Sequence, residues 1–360
     1  MTAPTLKVSH ARKIAILRAN GLGDLIFALP AVQALRLAYP DAEMVWLGLD
    51  LHRQFFSHRP GPVDRVIVVP PSQGVRDDCE GADDTALQRF FEAMVEERFD
   101  VAVQIHGGGR FSNPFVRKLG ARMTVGLRTP DAVALDRWIP YSYFQHEVLR
   151  YLEVVALLGT TAADLEPTVC VTEQDRSEIE ALLPYSDQPL VAIHPGAGDP
   201  RRRWPAEKFA EVGDALQKAG AKVVVIGTKP ERQTVDGVGS AMMTTPINLA
   251  DRLSLGGLIG LLSRCCLVIG NDSGPLHLAR TVGAGTVAIY WCGNFINAGP
   301  ITRARHRAAI SWRLTCPVCG VHCLEAQCHH SMPFVADVPV TDVLAPALEL
   351  IQPIFASSEQ

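Results

Sequence analysis

The chain reads as an α/β protein built from parallel sheets in two successive halves. Three observations predict this. Short apolar runs such as Ile14-Ala15-Ile16-Leu17 and Leu267-Val268-Ile269-Gly270 suit strands buried on both faces. Each run leads through a polar or glycine-bearing turn into residues at helical spacing, the order that builds a parallel sheet. That order recurs on both sides of a proline-interrupted stretch, residues 160–188, and 360 residues suit two domains better than one.

In the first half, residues 13–18 form the first strand and Ala19-Asn20-Gly21-Leu22-Gly23-Asp24 its turn. Residues 25–39 have helical spacing, with Pro40 beyond, and 43–48 are the second strand. The turn is not GxGxxG, so a dinucleotide fingerprint is absent. Its glycines admit a ligand close to the backbone, and Asp24 at the helix mouth is a candidate general base or, more plainly, a charge on the helix dipole. Strands are expected at 66–69, 100–105 and 123–127, helices at 87–97, 116–119 and 146–158, and a polar loop at 72–84. The strand at 100–105 ends in His106-Gly107-Gly108-Gly109-Arg110, a ligand loop or a flexible turn.

The second half opens on the strand 190–193 and the loop His194-Pro195-Gly196-Ala197-Gly198, followed by Arg201-Arg202-Arg203-Trp204-Pro205 and a helix over 206–219. Amides freed by glycine beside arginines suit a diphosphate. Strands at 222–226 and 247–249 and a helix at 255–263 precede the strand 267–270. Its turn, Asn271-Asp272-Ser273-Gly274, enters a helix at Pro275 that ends near Gly283, and 286–290 closes the unit. Unpaired N–H groups at such a turn favour an anion, with Asp272 and His277 flanking it. The alternative is that Asp272 caps the helix and His277 only packs.

Composition narrows the function. Apolar content of 48% and charged content of 20% are those of a globular chain, and a net charge of −4 gives no nucleic-acid footprint. No apolar run is long enough for a membrane helix and the first residues lack a secretory core, so a cytoplasmic protein is expected, with any membrane contact peripheral. Four of nine cysteines, Cys316, Cys319, Cys323 and Cys328, fall within thirteen residues. They fit a compact structural zinc site with His322, His329 and His330 as spare ligands; an iron–sulfur cluster, free thiols or disulfides are the alternatives.

Five segments in order carry a family resemblance: Gly21-Leu22-Gly23-Asp24-Leu25; Gly120-Ala121-Arg122 with Val125-Gly126; His194 to Gly198 with Arg202-Arg203-Trp204-Pro205; the run from Asn248 to Leu255; and Asn271 to Ala279. Together they resemble the ADP-heptose:lipopolysaccharide heptosyltransferases, glycosyltransferase family 9, over residues 13–300. The resemblance implies a GT-B fold, two Rossmann-like domains with parallel sheets facing across a cleft. Residues 1–165 would form the acceptor-side domain and 166–340 the sugar-nucleotide domain, including a Cys-rich segment at 316–330. Residues 341–360 would be a terminal helix and tail packing back on the first domain.

The resemblance further implies inverting, metal-independent transfer of a sugar, a heptose from an ADP-linked donor, to a lipopolysaccharide-core or related glycan acceptor at the inner face of the membrane. No catalytic cofactor is implied. Asp24 takes the base position, with Gly23, His106 and Arg110 on the acceptor side. His194, Gly196, Gly198, Arg202, Asp272, Ser273, Gly274 and His277 take the donor side. Arg202 stands where the family usually has lysine, which keeps the charge and changes the geometry. The competing readings are a non-catalytic nucleotide-sugar or glycan-binding protein on the same scaffold, and another GT-B sugar-nucleotide enzyme such as an epimerase.

Overall fold

The computed structural model describes residues 7–77, 84–161, 164–325 and 328–357, with side chains as far as Gln352. It comprises two units, Met1–Pro167 and Thr168–Gln360.

The first unit contains β1 (Lys13–Leu17), α1 (Leu22–Ala38), β2 (Glu43–Gly48), α2 (Asp50–Phe56), β3 (Arg65–Val68), α3 (Asp84–Glu96), β4 (Val101–Gln104), α4 (Ser112–Arg117), β5 (Met123–Arg128), β6 (Arg137–Pro140) and α5 (Glu147–Ala156). Its six strands run parallel in the order β3-β2-β1-β4-β5-β6. The central strands β1 and β4 are almost wholly buried, which their unbroken apolar sequences require of a sheet covered on both faces. The chain leaves β1 in one direction and β4 in the other. At that reversal the loops beyond the strands' carboxyl ends part and leave a crevice.

The second unit contains α6 (Glu173–Leu182), β7 (Leu190–His194), α7 (Ala206–Lys218), β8 (Lys222–Val225), α8 (Arg232–Ala241), β9 (Ile247–Asn248), α9 (Leu255–Arg264), β10 (Leu267–Asn271), α10 (Gly274–Thr281), β11 (Gly285–Trp291), α11 (Cys292–Ala298), β12 (His306–Ser311) and α12 (Val340–Ser357). The order β12-β11-β10-β7-β8-β9 repeats the first sheet's topology, with its reversal between β7 and β10. The expected α/β class with two parallel sheets is what the chain forms.

The differences from expectation lie where burial is partial. The edge strand β6, Arg137-Trp138-Ile139-Pro140, alternates between half-buried and exposed residues and ends in a proline that an edge tolerates. Helix α6 lies in the proline-interrupted stretch 160–188, where no helix was expected; it buries only Asp175 and Ile179, so its apolar stripe is thin, although Thr172 caps it through Asp175 N–H. Helices α2, α8 and α11 and strand β12 are further additions. The loop expected over 72–84 falls in part outside the described residues. In the last helix Val343, Ala347 and Ile351 lie in the second unit's core with Phe209, Val287 and Trp204. There α12 packs against α7 and the sheet strands β10, β11 and β12.

Candidate active site

In the first unit the loops after β1 and β4 meet at the strand-order reversal. Arg18, the residue after β1, is buried, and its guanidinium donates to Ile105 O at 2.9 Å and Glu147 Oε2 at 2.8 Å. It also pairs with Asp24 and lies 4.9 Å over the Tyr151 ring. Burial alone would weaken the Arg18 charge, but Tyr151, Glu147 and Asp24 around it raise its pKa. Glu147 also accepts from Arg150 at 3.0 Å and from the Tyr151 hydroxyl. Burial would raise its pKa, yet Arg18, Tyr151 and Arg150 together hold it below the usual carboxylate range.

Asp24 sits in the first turn of α1 and accepts from Gly21 N–H at 3.2 Å; its side chain remains 38% exposed. Together with Arg18, Glu147, His106, Arg110 and Tyr141 it lines a cavity of about 450 Å³. His106 is buried and accepts from Ala19 N–H at 3.1 Å, which joins the two loops. Burial first, and then the Arg18 charge, lower its pKa to about 4, so it stands neutral at pH 7. Gly109 adopts φ +97°, and a Cβ there would meet the Asn113 amide at 2.5 Å, so glycine is required. Arg110 is exposed and pairs loosely with Asp131 at 3.6 Å. Gly23 lies in the first turn of α1 and outside the cavity lining.

The second unit places its candidate residues at the equivalent reversal. His194 ends β7; its Nδ1 is 2.9 Å from Ser273 Oγ, and its Nε2 is 3.5 Å from Glu231 Oε2. Burial would raise the Glu231 pKa, but hydrogen bonding and charge from His194, with donors from Thr228, bring it down to about 2. A Cβ at Gly196 would lie 1.9 Å from Glu231 Oε1, whereas one at Gly198 would have no neighbour closer than Arg202 at 4.0 Å. Asn271 accepts from Trp204 N–H at 3.0 Å and donates to Pro195 O at 2.8 Å, tying the β10 turn to the β7 loop.

Beside them runs a polar chain. Arg202 donates to Asp272 Oδ2 at 2.9 Å, Asp272 Oδ1 is 2.9 Å from His277 Nε2, and His277 Nδ1 is 2.9 Å from Arg280 Nη2. A guanidinium only donates, so Nδ1 accepts, and the proton on Nε2 goes to Asp272. Burial would raise the Asp272 pKa, but His277 and Arg202 hold it low. Arg201 is occupied by Asp199 and Arg203 by Ala197 O, so of the three arginines Arg202 is the one turned to Asp272. Helix α10 begins at Gly274 with no side-chain cap on its first turn, leaving N–H groups for a ligand.

The sequence model of glycosyltransferase family 9 (heptosyltransferase) matches residues 87–321, well over half of the chain. The chain belongs to this family. Lipopolysaccharide heptosyltransferase 3 of Escherichia coli K12 is 32% identical over 283 residues, covering 74% of this chain and 79% of that protein. In fold it resembles the glycosyl transferase family 9 structure from Veillonella parvula, at TM-score 0.77 and 23% identity over 98% of this chain and 99% of that one. It also resembles E. coli ADP-heptose lps heptosyltransferase II, at TM-score 0.74 and 19% identity over 96% and 99%. The fold is therefore GT-B in class.

Sequence reasoning missed several polar residues of this glycosyltransferase: Arg18, Glu147, Arg150 and Tyr151 in one unit, Glu231 and Arg280 in the other. Arg18 had a readable signal, a charge directly after a buried strand. Glu147 had none, because its link to Arg18 spans 129 residues. Three of the four cysteines expected to hold zinc come together with a histidine. The atoms of Cys316, Cys319, Cys328 and His330 lie within 4.8 Å of one another. Cys323 is not among them; it packs against the second core, its Sγ 3.5 Å from Val321 O. His322 pairs with Glu325 at 3.7 Å. None of the eight described cysteines is in a disulfide.

Proposed function

We propose that this family 9 glycosyltransferase moves a heptose from an ADP-linked donor onto a lipopolysaccharide-core acceptor, with inversion and without a catalytic metal. The observation that carries the donor half is Arg202, pinned on the buried Asp272 beside the uncapped start of α10. A cation and the Gly274 and Leu276 amides of the first α10 turn stabilise the charge that develops on a leaving diphosphate. Asp24, half-exposed at the first unit's cavity, supports the acceptor half as the base that takes the acceptor hydroxyl's proton. His194 and Ser273, with Gly196, would line the donor, while Arg110 would meet the acceptor. The names of the relatives, lipopolysaccharide heptosyltransferases, supply the sugar and acceptor class.

No helix among the described residues is long and apolar enough to cross a membrane. Peripheral contact with a membrane surface is supported by Trp138, Tyr143 and Phe144, each 40% exposed or more, next to the cavity residue Tyr141. Aromatic rings of this kind settle at a bilayer interface.

The test is a thermal-shift panel of ADP-, UDP- and GDP-sugars, followed by mass spectrometry of heptose-deficient lipopolysaccharide core incubated with the best donor. An ADP-heptose shift with a mass gain of one heptose and a reversed anomeric configuration is expected. A stronger shift with UDP-sugars would overturn the donor. Binding without turnover would establish the non-catalytic reading.

A further inference from the structure

The segment between β12 and α12 is fastened to the loop that carries Arg202. Phe334 N–H donates to Arg201 O at 2.6 Å, and the Arg201 guanidinium lies 5.1 Å over the Phe334 ring. Val338 O accepts from Trp204 Nε1 at 3.0 Å, and Ala336 O and Val338 O accept from Lys208 Nζ at 2.9 and 2.8 Å. Whatever orders residues 312–338 therefore holds the stretch from Asp199 to Trp204 from behind.

The upstream part of that segment is a tight turn. Thr315 and His322 pair as an antiparallel bridge, Cys316 N–H donates to Val321 O at 2.9 Å, and Gly320 N–H donates to Cys316 O at 2.9 Å. Gly320 sits at φ +71°, a conformation that suits glycine. The turn brings Cys316 and Cys319 to one side, and Cys328 and His330 arrive there from the downstream strand of chain. Cys316 Sγ is 3.7 Å from His330 Nδ1. A tetrahedral zinc with Zn–S near 2.3 Å sets its ligand atoms roughly 3.5–3.8 Å apart, so four atoms within 4.8 Å of each other need only small adjustments to close on an ion. Three sulfurs and one imidazole nitrogen are a donor set that zinc favours.

We infer that Cys316, Cys319, Cys328 and His330 bind one zinc ion, and that this ion orders the segment that positions the Arg201–Arg202 turn. The metal is not a participant in transfer. Its binding free energy becomes local folding energy for a turn whose Leu314 and Val318 side chains are exposed, and it is transmitted to the Arg201–Arg202 turn through the buried Phe334 and Val338. Metal occupancy and turn order are measured without any sugar nucleotide, so the inference stands or falls apart from the donor assignment.

The full chain, purified without added metal, is expected to contain one zinc per chain by elemental analysis. The Cys323→Ser variant should keep it, and the Cys316→Ser/Cys319→Ser double variant should lose it. Hydrogen exchange of the wild-type enzyme before and after chelation should show amides of residues 199–204 exchanging on the order of tenfold faster in the stripped protein, with strand β7 unchanged. Chelation of the wild type keeps the test valid if the double variant does not fold. Metal-free wild type, stoichiometric iron in place of zinc, or a Cys323→Ser variant without metal would overturn the site. Unchanged exchange at 199–204 after zinc removal would overturn its link to the turn.

Discussion

The two units share one topology and put opposite charge patterns at the same topological place. Where the strand order reverses in the first unit, a buried cation, Arg18, is ringed by Asp24 and Glu147. At the reversal in the second, a buried carboxylate, Asp272, lies between Arg202 and His277, with Arg280 behind. The first arrangement leaves a carboxylate partly open to a ligand; the second leaves a guanidinium and helix amides open. Sheet order fixes where a ligand can sit, and the few residues following two strands fix its charge. That division suits a reaction needing a proton acceptor for one substrate and anion stabilisation for the other.

The largest effect expected from breaking the contrast is at Asp24. Asp24→Ala should lower turnover on the order of 10²–10⁴-fold while ADP affinity by calorimetry barely changes. Retained turnover would remove the carboxylate from the chemistry. Next comes Arg202→Ala, which should weaken ADP by about 1.5–3 kcal/mol more than it weakens adenosine. Equal losses for the two ligands would place Arg202 away from the diphosphate.

A third, smaller effect separates the units by pH. His52 and His106, both in the first unit, have pKa values lowered to about 4, first by burial and then also by the Arg18 charge. Since the folded values lie below the unfolded one near 6.5, the unfolded chain takes the proton first. Their contribution is complete above pH 6.5 and is lost as pH falls toward 4, on the order of 1–3 kcal/mol each. Glu231, depressed to about 2 from 4.5, contributes above pH 4.5 and loses that contribution only as pH falls toward 2. Unit-resolved hydrogen exchange should therefore show the first unit loosening between pH 6.5 and 4. Equal loosening of both units in that window would contradict the assignment.

The smallest effect sharpens the second site. Gly196→Ala should cost about 1–3 kcal/mol of stability by driving a Cβ into Glu231, while Gly198→Ala, in open space, should be nearly neutral. Paired melting curves would decide, and equal shifts would show that the loop yields at both glycines.

Much of this was legible in the chain. Buried parallel strands announce themselves as apolar runs, and Asp24, Asp272 and the glycine loops stand directly after such runs. Elements with thin apolar faces, such as α6 and β6, were not legible, because their burial depends on neighbours rather than on their own pattern. The cysteines show the same limit: spacing pointed to a compact cluster, but it could not tell that Cys323 would turn toward the core and His330 inward to the sulfurs.

By itself the sequence determined the class of fold, its two halves and the turns where chemistry concentrates, since apolar periodicity and turn residues act over a few neighbouring positions. Only the tertiary structure decided which turns meet. The strand order brings Arg18 to Glu147 across 129 residues and His194 to Ser273 across 79. Those contacts set the orientation of both sites, and it is the packing of whole sheets, rather than any local preference, that closes loops of such length.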